Sequence, residues 1–251
     1  MSIPKSGEGA APSAVLSSRA AEPSLEVAIS EALLVRVARG ELPATLRLYR
    51  PRPTVAFGRL DKLLPGYADA ATAARERGFA PVLRSPGGHA AAYDEGTVAF
   101  DLVLPAGTIV EGVQDRFRDT SDTIAEALTA LGVDARVGEV PGEYCRGQYT
   151  VNAGGRTKLV GTAQRAIRGG ALLAGFVTVE GADRLRDVLV DVYAALDLAW
   201  DPATVGDITG TSIDAVEDAL ATALAPGATQ STLDDETQAL AEALQPRHAI
   251  K

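Results

Sequence analysis

The sequence predicts an α/β protein of the α+β type, in which helices flank a mixed central β-sheet. Two observations support this prediction. Short apolar segments typical of strands recur between residues 45 and 178, and amphipathic helical segments interrupt them at irregular intervals. Strands and helices do not alternate regularly, which disfavours a doubly wound sheet. At 251 residues, the chain is long enough to bury a substantial core.

The chain divides into three parts by composition. Residues 1–22 are rich in Ser, Ala, Gly and Pro, which predicts a disordered tail. Residues 23–200 carry the predicted globular domain. Residues 201–251 add two helices, near 212–224 and 233–244, which we expect to form an extension packed on that domain.

Within the central part, each element follows from its residue spacing and from the residues that end it. A helix begins at Pro23, has apolar residues at helical spacing and ends before Gly40. The other predicted elements are two strands around the Pro-Arg-Pro turn at 51–53, helices at 69–78, 113–132 and 182–197, strands at 80–83, 97–105 and 133–140, and hairpins turning at 152–155 and 168–170.

The composition excludes several classes of protein. The formal net charge of −9 argues against nucleic-acid binding, which requires a basic surface. No apolar run is long enough to span a membrane, and no signal peptide is predicted. One cysteine rules out an internal disulfide and fits the cytoplasm. With two histidines besides, no metal site is expected. We expect His248 to lie in a solvated tail.

A glycine-rich segment, "RSPGGHAAAYDEG", lies between two predicted strands. Paired glycines allow a backbone to approach a ligand closely, and the alanines after His89 leave room for a slim apolar ligand. The segment lacks the Gly-Lys-Ser/Thr of a phosphate-binding P-loop and matches no dinucleotide fingerprint. A tight turn with small-residue packing explains the same pattern, so the segment alone does not decide between the two.

The lone cysteine and an isolated lysine occur in one Gly-rich stretch. Cys145 stands in "PGEYCRGQ", and Lys158 follows thirteen residues later as the only lysine between Lys62 and the last residue. A lysine in a strand is ordinarily a solvent-facing charge, and a lone cysteine is ordinarily a small buried hydrophobe. A buried ammonium near a thiol would instead favour the thiolate or stabilise an oxyanion.

Spacing alone does not bring this pair together. If the hairpin turns at 153–155, Cys145 lies about 20 Å from the position opposite Lys158 along an extended strand. The Pro-Gly loop before the hairpin must therefore fold back for the two side chains to approach each other.

Together, the two motifs resemble the lipoate–protein ligase/octanoyltransferase family, whose fold is related to that of biotin protein ligases. That family pairs an Arg-x-x-Gly-Gly loop with a Lys-x-x-Gly-x-Ala-Gln strand, and residues 23–200 contain both in order. The resemblance implies a biotin/lipoate protein ligase-like catalytic domain. It also implies a set of substrate-binding residues: Arg84, Gly87, Gly88, His89, Ala90, Gly161, Thr162, Ala163 and Gln164.

The segment "GEYCRGQY" and the "DEG" after the glycine loop resemble the family's cysteine-dependent octanoyltransferases. This resemblance implies that Cys145 is a nucleophile that forms a thioester, and that Lys158 holds the carbonyl oxygen and favours the thiolate. The octanoyl group would pass from a carrier protein, either the glycine cleavage H protein or acyl carrier protein, to a lysine of a lipoyl domain. Acceptors would be the H protein or 2-oxoacid dehydrogenase acyltransferase subunits, and no cofactor or metal is implied.

Two alternatives stay open. An ATP-dependent lipoate–protein ligase would need ATP and magnesium, and Cys145 would have no role in it. A non-catalytic protein that binds acyl chains or lipoyl domains would keep the pocket without the chemistry. A pure binder needs neither a thiol nor an ammonium in this stretch, so Cys145 and Lys158 favour the transferase.

Overall fold

The computed structural model describes residues 11–18 and 20–250. In these ranges the helices are α1 (Pro23–Ala38), α2 (Tyr67–Glu76), α3 (Val113–Ala130), α4 (Ala182–Ala195), α5 (Ile213–Leu224) and α6 (Asp235–Leu244). The strands are β1 (Ala14–Ser17), β2 (Thr45–Tyr49), β3 (Thr54–Phe57), β4 (Ala80–Leu83), β5 (Ala91–Tyr93), β6 (Thr97–Ala106), β7 (Ala135–Val137), β8 (Val151–Ala153), β9 (Thr157–Ile167), β10 (Gly169–Thr178) and β11 (Thr229–Ser231).

Two sheets organise the fold. The larger has eight strands in the order β11-β1-β2-β6-β10-β9-β8-β7, and the smaller has the order β4-β3-β5. β1 pairs in parallel with β2 and β11, whereas the pairs from β2 through β7 are antiparallel. The large sheet is therefore mixed, as the sequence predicts. The Pro-Arg-Pro turn sends β3 into the second sheet because it redirects the chain after β2.

Helices cover both sheets. α1 packs on β6 and β10 and contacts α6, while α3 and α5 pack together near the β7–β9 end and the centre of the large sheet. α2 and α4 pack against each other beside the small sheet. Within the described ranges, no helix combines the length and apolarity needed to cross a bilayer.

Residues 14–17 correct the prediction of a disordered tail over 1–22. They form β1, in which Ala14 lies opposite Thr45 of β2. Val15 and Leu16 are only 4% and 6% exposed, so the burial of their side chains stabilises the fold. The Ser- and Pro-rich composition of the segment gives no sign of this burial. The first ten residues of the predicted tail lie outside the described residues.

The stretch after residue 200 contains the two predicted helices, α5 and α6, and also an unexpected strand. β11 lies between the helices and pairs with β1, Ala14 being opposite Thr229. Strands from the N-terminal and the C-terminal parts of the described chain therefore pair at one edge of the large sheet. This strand was not predictable from local pattern, because it spans three exposed polar residues in the short connection "APGATQST".

A buried histidine fastens the C-terminal segment to α1. The prediction that His248 is solvated is wrong, because the residue is 3% exposed and its Nδ1 lies 2.7 Å from the Leu83 carbonyl. Its Nε2 lies 3.0 Å from Oε2 of Glu31, and Ser85 donates to the same oxygen at 2.6 Å. Glu31 thereby connects α1 and the C-terminus to the glycine-rich segment.

We expect Glu31→Gln to lower the free energy of unfolding at neutral pH and to make it fall less steeply as the pH is lowered. The hydrogen bond with His248, helped by Ser85, lowers the pKa of Glu31 from 4.5 to about 2. A pKa lower in the folded than in the unfolded chain stabilises the fold above the unfolded pKa, and this stabilisation is lost as the pH falls through the folded pKa. Urea unfolding should show the variant less stable by about 3 kcal/mol at pH 7. The gap should shrink progressively as the pH falls from 4.5 toward 2; a constant gap would contradict this assignment.

Candidate active site

The loop between β7 and β8 carries Cys145 and folds back onto β9, as the spacing requires. Lys158 on β9 donates from Nζ to the carbonyl oxygens of Tyr144, at 3.1 Å, and of Cys145, at 2.9 Å. The isolated lysine and the lone cysteine therefore meet through the backbone of the cysteine loop. Among the described contacts, none joins Nζ to Sγ.

A buried carboxylate completes the environment of Lys158. Oε2 of Glu143 lies 2.9 Å from Nζ, and the two side chains are 0% and 3% exposed. Glu143 also accepts from the Thr150 hydroxyl at 2.8 and 3.0 Å and from two backbone N–H groups of its own loop. The ammonium thus directs its three protons at one carboxylate and two carbonyls, an arrangement that fixes the loop on β9.

The backbone at Cys145 is strained and held from outside the loop. Its φ of 42° lies in the left-handed region, where a non-glycine residue needs support from its surroundings. The Cys145 N–H donates to the hydroxyl of Tyr193 on α4 at 2.8 Å, and that hydroxyl donates to the Ala90 carbonyl at 2.9 Å. Burial raises the pKa of Tyr193 well above its usual value, so the hydroxyl stays protonated and able to donate.

A guanidinium lies next to the thiol. Nη2 of Arg84 is 3.5 Å from Sγ of Cys145 and donates to the His89 carbonyl at 2.8 Å. Gly88 lies beside both groups: a Cβ there would come within 2.8 Å of both Sγ and Nη2, and its φ is +92°. Glycine is therefore required at this position, and the guanidinium that contacts Sγ comes from the glycine loop.

His89 in the same loop pairs with a carboxylate that the sequence analysis did not single out. Its Nδ1 lies 2.7 Å from Oδ1 of Asp61, whose side chain is completely buried while that of His89 is 35% exposed. The other oxygen of Asp61 accepts from the Gly58 N–H at 2.8 Å. This carboxylate therefore orients the imidazole, which stays partly exposed.

Two open clefts meet at Cys145. The first, which we call the β9 cleft, is bounded by the cysteine loop, the glycine loop and the end of the β9 motif; its walls include Gly87, Gly88, Cys145, Thr162, Ala163 and Gln164. The second, which we call the histidine cleft, lies on the other side of Gly88; its walls include Gly88, His89, Cys145, Arg146, Tyr193 and Leu198.

A third space lies behind the glycine loop. This inner cavity has mainly apolar walls from α1, β2, β5, β6, β9 and β10; they include Val27, Tyr49, Arg84, Tyr93, Ala99, Gly161, Ala174 and Phe176. Arg84 both lines this cavity and contacts Sγ. Gly161 also lines this cavity, and a Cβ there would crowd the side chains of Phe176, at 3.0 Å, and Lys158, at 3.1 Å.

Ala90 lies in the core beneath the glycine loop. Its side chain is fully buried, and its carbonyl accepts from Tyr193. The other substrate-binding candidates lie around Cys145 in the clefts and the cavity. Their roles stay predictions, as does the role of Lys158 in holding a substrate carbonyl. Among the described residues, no cluster of three or more His, Cys, Asp or Glu side chains could hold a metal ion.

The fold and the site define a domain that presents a thiol, an adjacent guanidinium and an apolar cavity. Residues 22–224 match the model of the lipoyl protein ligase A/B catalytic domain. The chain belongs to this family.

Two curated relatives of the chain share one name. An octanoyl-[GcvH]:protein N-octanoyltransferase of Geobacillus kaustophilus is 30% identical over 163 residues, which make up 65% of this chain and 57% of the relative. The protein of the same name from Exiguobacterium sibiricum is 34% identical over 156 residues, 61% of this chain and 55% of the relative. The chain spans little more than half the length of these relatives.

Solved structures confirm the predicted ligase-like fold. A lipoate–protein ligase A bound with ATP superimposes with a TM-score of 0.72 at 21% identity, covering 95% of each chain. A bipartite lipoate protein ligase from Thermoplasma acidophilum gives a TM-score of 0.71 at 20% identity, covering 94% of this chain and 92% of the other. At these identities the likeness shows the fold alone.

Proposed function

We propose that this protein is an octanoyltransferase of protein lipoylation, an acyltransferase that uses a cysteine acyl-enzyme. It moves an octanoyl group from a carrier protein to the lysine of a lipoyl domain through a thioester on Cys145. The observation that carries the proposal is the position of Sγ, which lies 3.5 Å from the Arg84 guanidinium where the two clefts meet. The names of the relatives support the choice of acyl group.

In the first half of the reaction, the Cys145 thiolate attacks the carbonyl carbon of the octanoyl donor. A C–S bond forms, the bond to the carrier's nitrogen or sulfur breaks, and the carrier leaves with a proton. The Arg84 guanidinium contacts Sγ, so its positive charge is placed to interact with the negative charge of the attacking sulfur. The same guanidinium is placed to donate to the oxyanion that develops on the acyl carbonyl.

In the second half, the acceptor lysine attacks the thioester. A C–N bond forms, the C–S bond breaks and the thiol is regenerated. A thioester intermediate divides one difficult amide exchange into two easier steps, since a thiolate is both a good nucleophile and a good leaving group. The loop at Cys145 must keep its position through both steps, and the contacts of Lys158 with the loop carbonyls supply that restraint.

We propose that donor and acceptor are lipoyl-domain proteins. The relatives' names point to GcvH as donor, and acyl carrier protein is the alternative donor. The H protein and the acyltransferase subunits of 2-oxoacid dehydrogenases would be acceptors. The reaction would need neither ATP nor magnesium, and would take place in the cytoplasm, where a lone thiol stays reduced.

Transfer between purified proteins tests this function. Octanoylated H protein and an unmodified lipoyl domain are mixed with the enzyme without ATP, and octanoyl-lysine on the acceptor is quantified by mass spectrometry. Transfer supports the proposal. Transfer only from free octanoate with ATP and magnesium would establish a ligase, and binding without transfer from any donor would establish a non-catalytic module.

The octanoyl chain is proposed to occupy the inner cavity, so Ala174→Leu should shorten the acyl chain that the enzyme accepts. The leucine would fill space on the β10 wall and exclude about two methylenes, each worth about 0.8 kcal/mol on burial. The ratio of octanoyl to butyryl transfer should fall by about tenfold. Ala174→Ser, which adds polarity but little volume, is the control and should keep the ratio; an unchanged ratio in Ala174→Leu would place the chain elsewhere.

A further inference from the structure

A lysine acceptor presents a protonation problem at this site. The inference that follows rests on the proposed function. A lysine side chain titrates near pH 10.4, so at neutral pH roughly one acceptor molecule in a thousand or fewer carries the neutral amine that attacks a thioester. A group in the cleft that removes this proton during attack would accelerate transfer.

Lys158, Glu143 and Arg84 are poorly suited to remove the proton of the acceptor lysine. Lys158 directs its three protons at Glu143 and two backbone carbonyls. Glu143 is itself completely buried and bonded to Thr150 as well. A guanidinium such as that of Arg84 stays protonated in proteins and cannot accept a proton.

His89 meets the requirements that these groups fail. Its Nδ1 contacts the buried Asp61, which as a carboxylate is an acceptor, so the hydrogen-bond network assigns the ring proton to Nδ1. Nε2 then carries the free lone pair, and it makes no hydrogen bond with the part of the chain that the structure describes. The ring is 35% exposed and shares the histidine cleft with Cys145.

We propose that Nε2 of His89 takes the proton from the acceptor lysine, and that Asp61 is the positioning residue that holds the imidazole in the required tautomer. The arrangement follows the general logic of a base oriented by a third group. Asp61 is well placed for this purpose, because the Gly58 N–H fixes its second oxygen. Groups that face the ring across the cleft and from the loop are Arg84, Glu143, Cys145, Arg146 and Tyr193.

The acceptor nitrogen loses two protons in the acyl-transfer step, and each has a defined acceptor. The acceptor ammonium gives one proton to Nε2 of His89, and the neutral amine forms a C–N bond with the thioester carbon. The tetrahedral intermediate loses its second proton to the departing sulfur as the C–S bond breaks, which yields the amide and the Cys145 thiol. The imidazolium then releases its proton to water.

The same imidazole serves the donor half-reaction when the donor is an octanoyl-lysine. The amine that leaves the H protein in that step is chemically the same group that attacks in transfer. In the donor step Nε2 of His89 first takes a proton from water, and by microscopic reversibility the resulting imidazolium protonates the departing amine nitrogen as the C–N bond breaks. A thioester donor needs no such help, because its leaving group is a thiolate.

One experiment distinguishes acyl transfer to lysine, which needs a base, from acyl transfer to hydroxylamine, which does not. Wild type and His89→Gln are loaded with octanoyl-CoA, and the acyl-enzyme is then chased at pH 7 either with a lipoyl domain or with hydroxylamine. Hydroxylamine is uncharged at this pH and needs no base. We expect His89→Gln to load normally and react normally with hydroxylamine, but to transfer to lysine about 100-fold more slowly. Added imidazole should restore part of the lysine rate.

Two further variants test whether the effect depends on the contact between His89 and Asp61. Asp61→Asn should also slow transfer to lysine and spare the hydroxylamine reaction. Lys62→Gln, which alters an exposed neighbour of Asp61, should change neither. If His89→Gln slows both chases equally, or slows neither, the proposal is overturned. If wild type forms no acyl-enzyme from octanoyl-CoA, from octanoylated H protein or from octanoyl-acyl carrier protein, the proposed function itself fails, and this inference fails with it.

Discussion

Cys145→Ala is expected to abolish octanoyl transfer, with a loss of at least about 10³-fold. The thiol is the nucleophile in the proposed reaction, and no second cysteine exists in the chain to replace it. Cys145→Ser should be nearly as inactive, because a hydroxyl beside Arg84 is not ionised at neutral pH and is a much poorer nucleophile than a thiolate. The measurement is the rate of ATP-independent transfer from octanoylated H protein to a lipoyl domain.

The stability of these variants is the control for the activity loss. Cys145 is only partly buried, and alanine and serine can both adopt its backbone conformation at similar strain, so the free energy of unfolding should change by no more than about 1 kcal/mol. A stable variant that retains more than about a tenth of the wild-type rate would remove Cys145 from the mechanism.

Lys158→Met is expected to lower both stability and activity by large amounts. The substitution removes the cation but leaves Glu143 completely buried beside an apolar side chain. Breaking a buried ion pair in this way destabilises a protein by about 3–5 kcal/mol. The carbonyls of Tyr144 and Cys145 lose their common donor, so the loop also loses its restraint at the nucleophile. Transfer should fall by about 100-fold or more.

A second substitution separates these two effects. In the double variant Lys158→Met/Glu143→Gln the uncompensated charge is gone, so urea unfolding should show that a large part of the lost stability returns. Activity should stay low, because glutamine does not replace the ammonium between the two carbonyls. Recovery of activity together with stability would show that Lys158 acts only through folding.

Apart from β1, β5 and β11, the order of elements was predictable from the sequence, as were the chemistry-bearing segments, because both depend on local patterns. Apolar spacing identifies α1, α3 and α4, and the Gly-Gly turn marks the β8–β9 hairpin. Strand geometry also indicated that the cysteine loop has to fold back if Cys145 and Lys158 are to approach each other, but spacing alone did not show that they do.

The partners of the site residues were not predictable, because they come from distant parts of the chain. Asp61 is 28 residues from His89, and Tyr193 is 48 residues from Cys145. An aspartate in an otherwise exposed "RLDKL" segment gives no local sign that it is the one buried side chain there. Glu143 was missed for a similar reason, because an acidic residue in a loop is ordinarily solvated.

The burial of Arg47, outside the active site, was not predictable either. Arg47 lies in an alternating strand, where a charged side chain ordinarily marks the solvent face, yet its side chain is 0% exposed. It pairs with Glu26 at 2.8 Å and Asp101 at 3.1 Å, which join α1, β2 and β6. Only the assembled layers place these three charges together.

The intact mass of the enzyme after mixing with octanoylated H protein, without ATP, is the clearest test for a thioester on Cys145. We expect a mass increase of one octanoyl group that hydroxylamine removes and that Cys145→Ala lacks. Acyl carrier protein loaded with octanoate, tested separately, identifies the donor. If neither donor yields an adduct, while free octanoate with ATP and magnesium supports transfer in both wild type and Cys145→Ala, the thioester mechanism is wrong.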